Sequence, residues 1–269
     1  MAKKRIDVLL IEQGLADSRQ KAQAIIMAGL VYAGERRCDK AGLTLEEGTV
    51  LEVRGQAMPY VSRGGLKLEK AMACFPIELT GKTATDIGAS TGGFTDCMLK
   101  NGAAKVYAVD VGYGQLAWSI RNDPRVVCLE RTNARYLTTE QIPEPLDFAS
   151  IDVSFISLGL ILPSLRPLLR DNGEVVALVK PQFEAGRDKV GKKGVVRDPA
   201  VHLEVLEQFL KHAQQADFSV KGLDFSPIRG PEGNIEYLGY LRTRGGERFD
   251  GDLKELVCRS HEILKGGGQ

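Results

Sequence analysis

Three stretches of this chain set chemistry-bearing residues beside the small or apolar neighbours such chemistry needs. Asp86-Ile-Gly-Ala-Ser-Thr-Gly-Gly-Phe-Thr-Asp96 is a glycine-rich turn headed by an acid. Gly88 permits a tight turn, while Gly92 and Gly93 let backbone approach a ligand where a Cβ would collide. Ile151-Asp152-Val-Ser-Phe155 ends one apolar run on a carboxylate, and Leu178-Val-Lys180-Pro-Gln-Phe-Glu184 ends another on a lysine. Ammonium groups avoid burial unless paired, so Lys180 asks for a partner, and Asp152 would serve. The first stretch could cradle a nucleotide-like ligand. The other two would place an anion and a cation beside it, where ligand chemistry gathers in open α/β sheets.

The turn departs from the dinucleotide pattern G-x-G-x-x-G, because Ser90 stands where the second glycine belongs. An acid before the turn and paired glycines after it suit a ligand without a pyrophosphate, and S-adenosylmethionine is the candidate. Asp110 follows one βαβ unit later, where a carboxylate accepts hydrogen bonds from ribose hydroxyls. A nicotinamide site would share that acid but prefers the third glycine spacing. Gly81-Lys82-Thr83 is no phosphate-binding P-loop, since Pro76 replaces the required glycine and a strand follows instead of a helix. Cofactor contacts are therefore expected from Gly88, Gly92, Gly93 and Asp110. Asn133 reads equally as an adenine contact or as a turn residue. Plainer readings exist for the rest: a βα turn that binds nothing, an N-cap aspartate at 152, a snorkelling lysine at 180. Neither Asn-Pro-Pro-Tyr nor a Pro-Cys nucleophile occurs, which points away from base methylation and toward a hydroxyl acceptor. Lys67 and Glu236 also stand out in their segments, although each alone reads as solvent-facing.

These residues need an alternating frame to hold them. Strands are expected near 83–87, 105–110, 125–129, 146–151 and 173–179, with helices near 92–101, 114–121, 157–169 and 199–216. That alternation predicts an α/β fold with a mainly parallel sheet. Runs at 218–226 and 235–243 suit an antiparallel hairpin at its edge, and Asp198-Pro199 reads as a helix start. A helix from Arg63 to Phe75 should turn Leu66, Met72 and Phe75 inward. Residues 1–58 read as a separate small α+β module, with two short helices around Gly14, Ser18 capping the second, and small strands near 30–32 and 50–53. A Gly- and Pro-containing connector covers 54–62, with 59–62 as linker proper and 63–269 as the larger domain. The only low-complexity tract is Gly266–Gly268.

A chain of 269 residues accommodates both parts, and 43% hydrophobic with 26% charged residues is ordinary for a globular protein. The formal net charge is only +1, so attraction to nucleic acid must come from local clusters. Five cysteines without a C-x-x-C pair read as reduced thiols, neither a disulfide frame nor a zinc site, and no metal is expected. Lys3, Lys4 and Arg5 precede an apolar run that stops at Glu12, too short for a signal peptide, and no stretch approaches the roughly 20 apolar residues of a membrane span. A cytoplasmic location is expected.

Together the motifs resemble the TlyA-type, haemolysin-A-like ribosomal RNA methyltransferases, whose catalytic domain is similar to the FtsJ-type Rossmann-like ribose methyltransferases. The resemblance covers almost the whole chain. It rests on Val61-Ser-Arg63-Gly64 with Lys67, on the 86–96 turn, on Val109-Asp110-Val-Gly-Tyr-Gly-Gln-Leu116, on Asp152-Val-Ser-Phe-Ile-Ser-Leu158 and on Val179-Lys180-Pro-Gln-Phe-Glu184. Residues 5–53 resemble the small RNA-binding fold named after ribosomal small-subunit protein four. The resemblance implies a Lys-Asp-Lys-Glu tetrad of Lys67, Asp152, Lys180 and Glu236, S-adenosylmethionine as cofactor with Asp86, Ser90, Phe94 and Asp152 among its contacts, and a cytidine ribose in ribosomal RNA or a ribosomal subunit as acceptor. Held between Asp152 and Glu236, Lys180 would stay charged and steer the hydroxyl oxygen; placed near Lys67, it could take the proton. The first module would grip RNA through Lys3, Lys4, Arg5, Arg19, Lys21, Arg36 and Arg37, joined by Arg63 and by Arg187, Lys189, Lys192 and Lys193 of a basic loop that reads equally as a solvated surface. Two other classes compete: a membrane-active cytolysin, suggested by the haemolysin name, and a noncatalytic ribosome-assembly factor.

Overall fold

The computed structural model describes residues 3–27, 29–55, 58–243 and 249–265; Gln56 and Ala57 of the connector and the Gly266–Gly268 tract lie outside the described residues. The chain forms two compact units, 1–59 and 60–269. The expected linker is thus divided: Tyr60 is buried in the larger unit's core, and the Val61 N–H donates to Asp96 (2.9 Å).

The first unit runs β1 (Lys3–Arg5), α1 (Ile6–Glu12), α2 (Arg19–Met27), β2 (Val31–Ala33), β3 (Arg36–Arg37), β4 (Thr44–Glu46) and β5 (Glu52–Val53). Gly14, at φ +69°, turns the chain between the helices, and the Lys21 N–H donates to Ser18 Oγ (3.2 Å), so Ser18 caps α2. Ile6, Leu9 and Leu10 of α1 then close on Ala22, Ile25 and Ile26 of α2. β1 pairs antiparallel with β4, and β2 lies between β3 and β5. The β1–β4 ribbon escapes sequence patterning because each strand has three residues, too few for an alternation to register.

The second unit runs α3 (Gly64–Cys74), β6 (Thr83–Ile87), α4 (Gly93–Lys100), β7 (Lys105–Val109), α5 (Trp118–Arg121), β8 (Val126–Leu129), β9 (Leu146–Ile151), α6 (Leu158–Leu165), β10 (Leu169–Val179), α7 (Pro181–Glu184), α8 (Pro199–Gln215), β11 (Phe218–Phe225), β12 (Tyr237–Thr243) and α9 (Leu253–Lys265). Its seven strands are ordered β11-β12-β10-β9-β6-β7-β8; β10 to β8 are parallel, and β12 pairs antiparallel with both β10 and β11. Alternation along β10 shows how both faces are filled: Val175, Ala177 and Val179 join one core cluster, Val176 and Leu178 the other. From β6 the chain proceeds outward through β7 and β8, then returns to place β9 on the other side of β6. That reversal makes the carboxyl ends of β6 and β9 a topological switch point, where such sheets open a ligand crevice.

Four details differ from expectation. α3 buries Gly65, Lys67, Leu68 and Ala71, whereas Leu66, Met72 and Phe75 are only partly buried. The cause is close approach: a Cβ at Gly65 would lie 2.2 Å from the Tyr60 ring, and one at Gly93 only 2.9 Å from Gly65 N, so these glycines set the face that α3 turns to α4. α5 keeps only its last turn, because Gly114 adopts φ +72° and its N–H donates to Glu130 (2.7 Å). The helix expected over 157–169 is α-helical only to Leu165 and tightens to a 3-10 turn at Arg166–Leu168, and β10 begins at Leu169, with an irregularity before Glu174. α9 was not anticipated, although Asp252 accepts from the N–H groups of Lys254 (2.8 Å) and Glu255 (3.1 Å), and Leu256, Val257, Ser260 and Leu264 form a buried helical stripe.

Candidate active site

The switch point is held open by glycine. Gly88 has φ +87°, and a Cβ there would lie 2.4 Å from the Asp152 carbonyl oxygen, so only glycine lets the ends of β6 and β9 meet this closely. The Asp152 N–H donates to the Ile87 carbonyl (2.8 Å), and Gly88 N–H donates to that of Val109 (2.9 Å), extending strand pairing into the loops. Gly92 caps α4 at φ +96°, beneath Leu116. Asp86 is fully buried, and Thr95 donates to it through N–H (2.9 Å) and Oγ1 (2.7 Å) while Ser150 donates to its other oxygen (3.1 Å). Burial pushes its carboxyl up to about 6 despite those donors. Asp86 therefore pins the turn to the sheet, and Phe94 packs in the core beneath it. Both also line the smaller of the two clefts that open from this turn.

Two adjoining clefts open from this turn and share Gly88, Ser90 and Asp152. One, of about 430 Å³, is lined by Val109, Asp110, Asn133 and Ile156; the other, of about 250 Å³, by Arg63, Lys67, Asp152 and Arg229. Each Asp110 carboxylate oxygen accepts one backbone N–H, from Ser90 and from Gly112 (both 2.7 Å), which fixes its orientation and leaves lone pairs for a ligand's hydroxyls. Asn133 caps a short turn by accepting from the Arg135 N–H (3.0 Å) while still lining the larger cleft, so both of its expected roles fit its position. A cleft with apolar walls and one oriented acid, joined to a second containing charged side chains, fits a nucleoside-bearing cofactor whose reactive end lies near Asp152.

Four charged side chains from distant segments meet at that junction. Lys180, at the end of β10, lies 2.5 Å from Asp152 Oδ1 and donates to Ser154 Oγ (3.2 Å). Lys67 of α3 donates to Glu236 (2.8 Å) and lies 3.6 Å from Asp152 Oδ2. Both lysines and Glu236 are buried, at 7%, 8% and 1% exposure, so their attraction is weakly screened. The lysine held between Asp152 and Glu236 is consequently Lys67, and not Lys180 as the sequence suggested. Separation along the chain hides this, because Glu236 enters from the loop before β12, next to Lys67. Two further residues escaped notice. Ser154 is the second acceptor for Lys180, and a Cβ at Gly230 would lie 2.6 Å from Glu236 Oε1, so that glycine makes room for the carboxylate. The polar residue two positions beyond Asp152 and the Gly-Pro pair before Glu236 were the available signals.

The expected RNA contacts are more dispersed. Arg5 and Arg19 donate to Asp7, which is fully buried and held well below the usual carboxylate range, chiefly by Arg5 with Gln23 and Arg19. Lys4 pairs with Glu12 and Glu47, and Lys21 with Asp17. Lys3 is exposed, as are Arg36 and Arg37, and none of the three is ion-paired among the described residues. Arg63 is exposed at the rim of the smaller cleft. In the basic loop Lys189 pairs with Glu204, Arg187 borders a cavity beside Phe155 and Phe183, and Lys192 and Lys193 are exposed. Among the described residues, no group of three or more His, Cys, Asp or Glu side chains could hold a metal ion, and no helix is long and apolar enough to cross a membrane.

A glycine-walled cofactor cleft at the switch point of a mainly parallel sheet, with a paired charge cluster beside it, defines an α/β methyltransferase. Residues 60–243 match the FtsJ-like methyltransferase family and residues 4–51 match the S4 domain; the chain belongs to the FtsJ-like methyltransferases, carrying an S4 domain at its amino-terminal end. It is 46% identical over 241 residues to the 16S/23S rRNA (cytidine-2'-O)-methyltransferase TlyA of Mycobacterium tuberculosis, covering 89% of this chain and 90% of that one. Hemolysin A of Brachyspira hyodysenteriae is 42% identical over 238 residues, covering 88% and 99%. A solved structure from Streptococcus thermophilus superimposes with a TM-score of 0.77 at 50% identity, covering 99% of this chain and 98% of that one. Membership makes S-adenosylmethionine the methyl donor.

Proposed function

We propose that this protein methylates the 2'-hydroxyl of a cytidine in ribosomal RNA, with Lys67, Asp152, Lys180 and Glu236 as its catalytic cluster, and that it works in the cytoplasm. The observation that carries this reading is the convergence of those four charges where the two clefts meet. A noncatalytic RNA binder gains nothing from burying two lysines there, since burial of charge costs free energy that only pairing offsets.

When bound, S-adenosylmethionine supplies a methyl group activated by a sulfonium. Gly88 and the Gly92–Gly93 turn would give it close backbone walls, and Asp110 would receive its ribose hydroxyls. The remaining work falls to the cluster. A ribose hydroxyl is a weak nucleophile at neutral pH and needs its developing negative charge stabilised. Lys180 directs N–H groups at Asp152 and Ser154, leaving its third donor for the acceptor oxygen. Asp152 fixes Lys180 with one oxygen and faces Lys67 with the other, while Glu236 balances Lys67. Lys180 is thus a steering cation held in register, and low exposure strengthens its pull on the oxygen.

The test pairs two substitutions. Lys180→Ala should lower methyl transfer to ribosomal RNA by roughly 10²–10⁴-fold with cofactor affinity nearly unchanged. Lys180→Arg keeps the charge but cannot exchange a proton, so it should retain a measurable fraction if steering is the role. Near-normal turnover in the alanine variant would sink the assignment; an arginine variant as dead as the alanine one would make Lys180 a base instead.

A further inference from the structure

The loops after β7 and β8, with the first residue of α5, expose an unusual share of large side chains: Val111, Tyr113, Trp118 and Tyr136 are 70%, 68%, 77% and 66% exposed. Single exposed hydrophobics need no explanation, but Val111 lines the cofactor cleft, Tyr113 lies two residues beyond it and Tyr136 three beyond the cleft-lining Asn133. Val111 and Asn133 line the same cofactor cleft, and the Arg131 N–H donates to the Gly112 carbonyl (3.0 Å), tying the two loops together. Cations are interleaved with the rings. The Arg131 guanidinium lies 4.4 Å from the Tyr113 ring centroid, and that of Arg135 lies 5.7 Å from the Tyr136 centroid. Arg131 holds φ +53°, a left-handed conformation uncommon outside glycine. Neither arginine is ion-paired among the described residues, while the neighbouring Glu130 is taken up by Arg121 and the Gly114 N–H.

Flat aromatic faces beside guanidinium groups that hold no salt bridge match the chemistry of unpaired nucleic acid, whose bases stack and whose phosphates meet the cations. We propose that the Tyr113–Arg131 and Tyr136–Arg135 pairs, with Trp118, bind an unpaired stretch of RNA alongside the cofactor cleft. This rests on the reading above that the substrate is RNA. The patch adds a stacking surface in the methyltransferase unit to the electrostatic grip expected from the amino-terminal one.

Trp118 is the chain's only tryptophan, so its fluorescence reports on this surface alone. The full chain is titrated with a single-stranded RNA of about 12 nucleotides, within the usual site-size range, and with the blunt duplex of the same sequence. Saturable quenching by the single strand, weaker with the duplex, is expected. The double substitution Tyr113→Ala with Arg131→Ala should weaken single-strand binding about tenfold. It should also flatten the salt dependence by about 0.7 in log–log slope, leaving cofactor affinity and thermal midpoint in place. Absence of quenching, or unchanged affinity in the double variant, overturns the proposal. So does self-association that shifts Trp118 emission and that RNA cannot compete away, because the patch is then a protein interface. Methyl transfer to ribosomal RNA is measured on the same samples. Transfer without quenching overturns the patch alone, and quenching without transfer overturns the functional reading alone.

Discussion

The molecule carries two sets of basic residues, and they are built on opposite principles. In the methyltransferase unit Lys67 and Lys180 come from segments more than a hundred residues apart and are buried against Asp152 and Glu236. In the S4 unit the basic residues remain largely exposed, and some of their partners are near in sequence, as Lys21 with Asp17 or Arg5 with Asp7. A buried set is rigid and intolerant, because removing one member strands another charge away from water. An exposed set is tolerant, because water replaces each lost partner. The first arrangement suits positioning of a reacting atom, the second suits gripping a backbone of phosphates.

Breaking the buried set should therefore have the largest effect. Asp152→Asn leaves Lys67 and Lys180 without their shared anion and should lower methyl transfer by at least about 10²-fold. Combining it with Lys180→Ala should cost little more than either change alone, since interacting residues are not additive. Rates that multiply in the double variant would show that the two act separately.

The buried ionisable groups of the same unit should also make its stability depend on pH. Burial pushes His202 down to about 4 from its usual 6.5, so its contribution is complete above pH 6.5 and is lost as pH falls toward 4. That amounts to roughly 2 kcal/mol between pH 8 and pH 5. Asp86, raised to about 6 from 3.8, acts in the opposite sense: the folded state binds the proton more readily, so acidification through that window adds stability. Denaturant midpoints of His202→Gln should accordingly stay flat or rise from pH 7 to pH 5. A decline as steep as in the unsubstituted protein would remove His202 from the account.

In the S4 unit one buried charge tests the contrast from the other side. Asp7→Ala frees Arg5 and Arg19, which are 43% and 60% exposed and can turn to solvent. The loss should be about 1–2 kcal/mol, seen as faster amide exchange in α1 and α2, with cofactor affinity unchanged. The smallest effect is expected at the rim. Arg36→Ala with Arg37→Ala should weaken ribosomal RNA binding several-fold and reduce its log–log salt slope by about 1.4–1.8. Lys4→Ala with Lys21→Ala should do less, because those ammonium groups already hold carboxylates. Equal losses in the two pairs would mean that the existing ion pairs open on binding.

Much of this was legible in the chain. The glycine turn, the strand periodicity and the Asp198-Pro199 start are local signals, and apart from the earlier start of β10 their elements formed where the spacing placed them. Long-range pairing is not local. That Glu236 would serve Lys67, that Arg5 and Arg19 would satisfy a buried Asp7, and that Asp86 would be consumed in pinning Thr95 depend on which segments fold together. Charged residues look alike in sequence whether they grip a ligand or each other. The α9 stripe carries local signals of its own, a capping aspartate and helical spacing.

The most direct test of the central claim is mass mapping of ribosomal RNA after incubation with the full chain and S-adenosylmethionine, beside the same reaction with Lys180→Ala. The account predicts one added methyl on the ribose of a cytidine with the unsubstituted protein, and none with the variant. Methylation of a base, or an equal ribose product from both proteins, would contradict it.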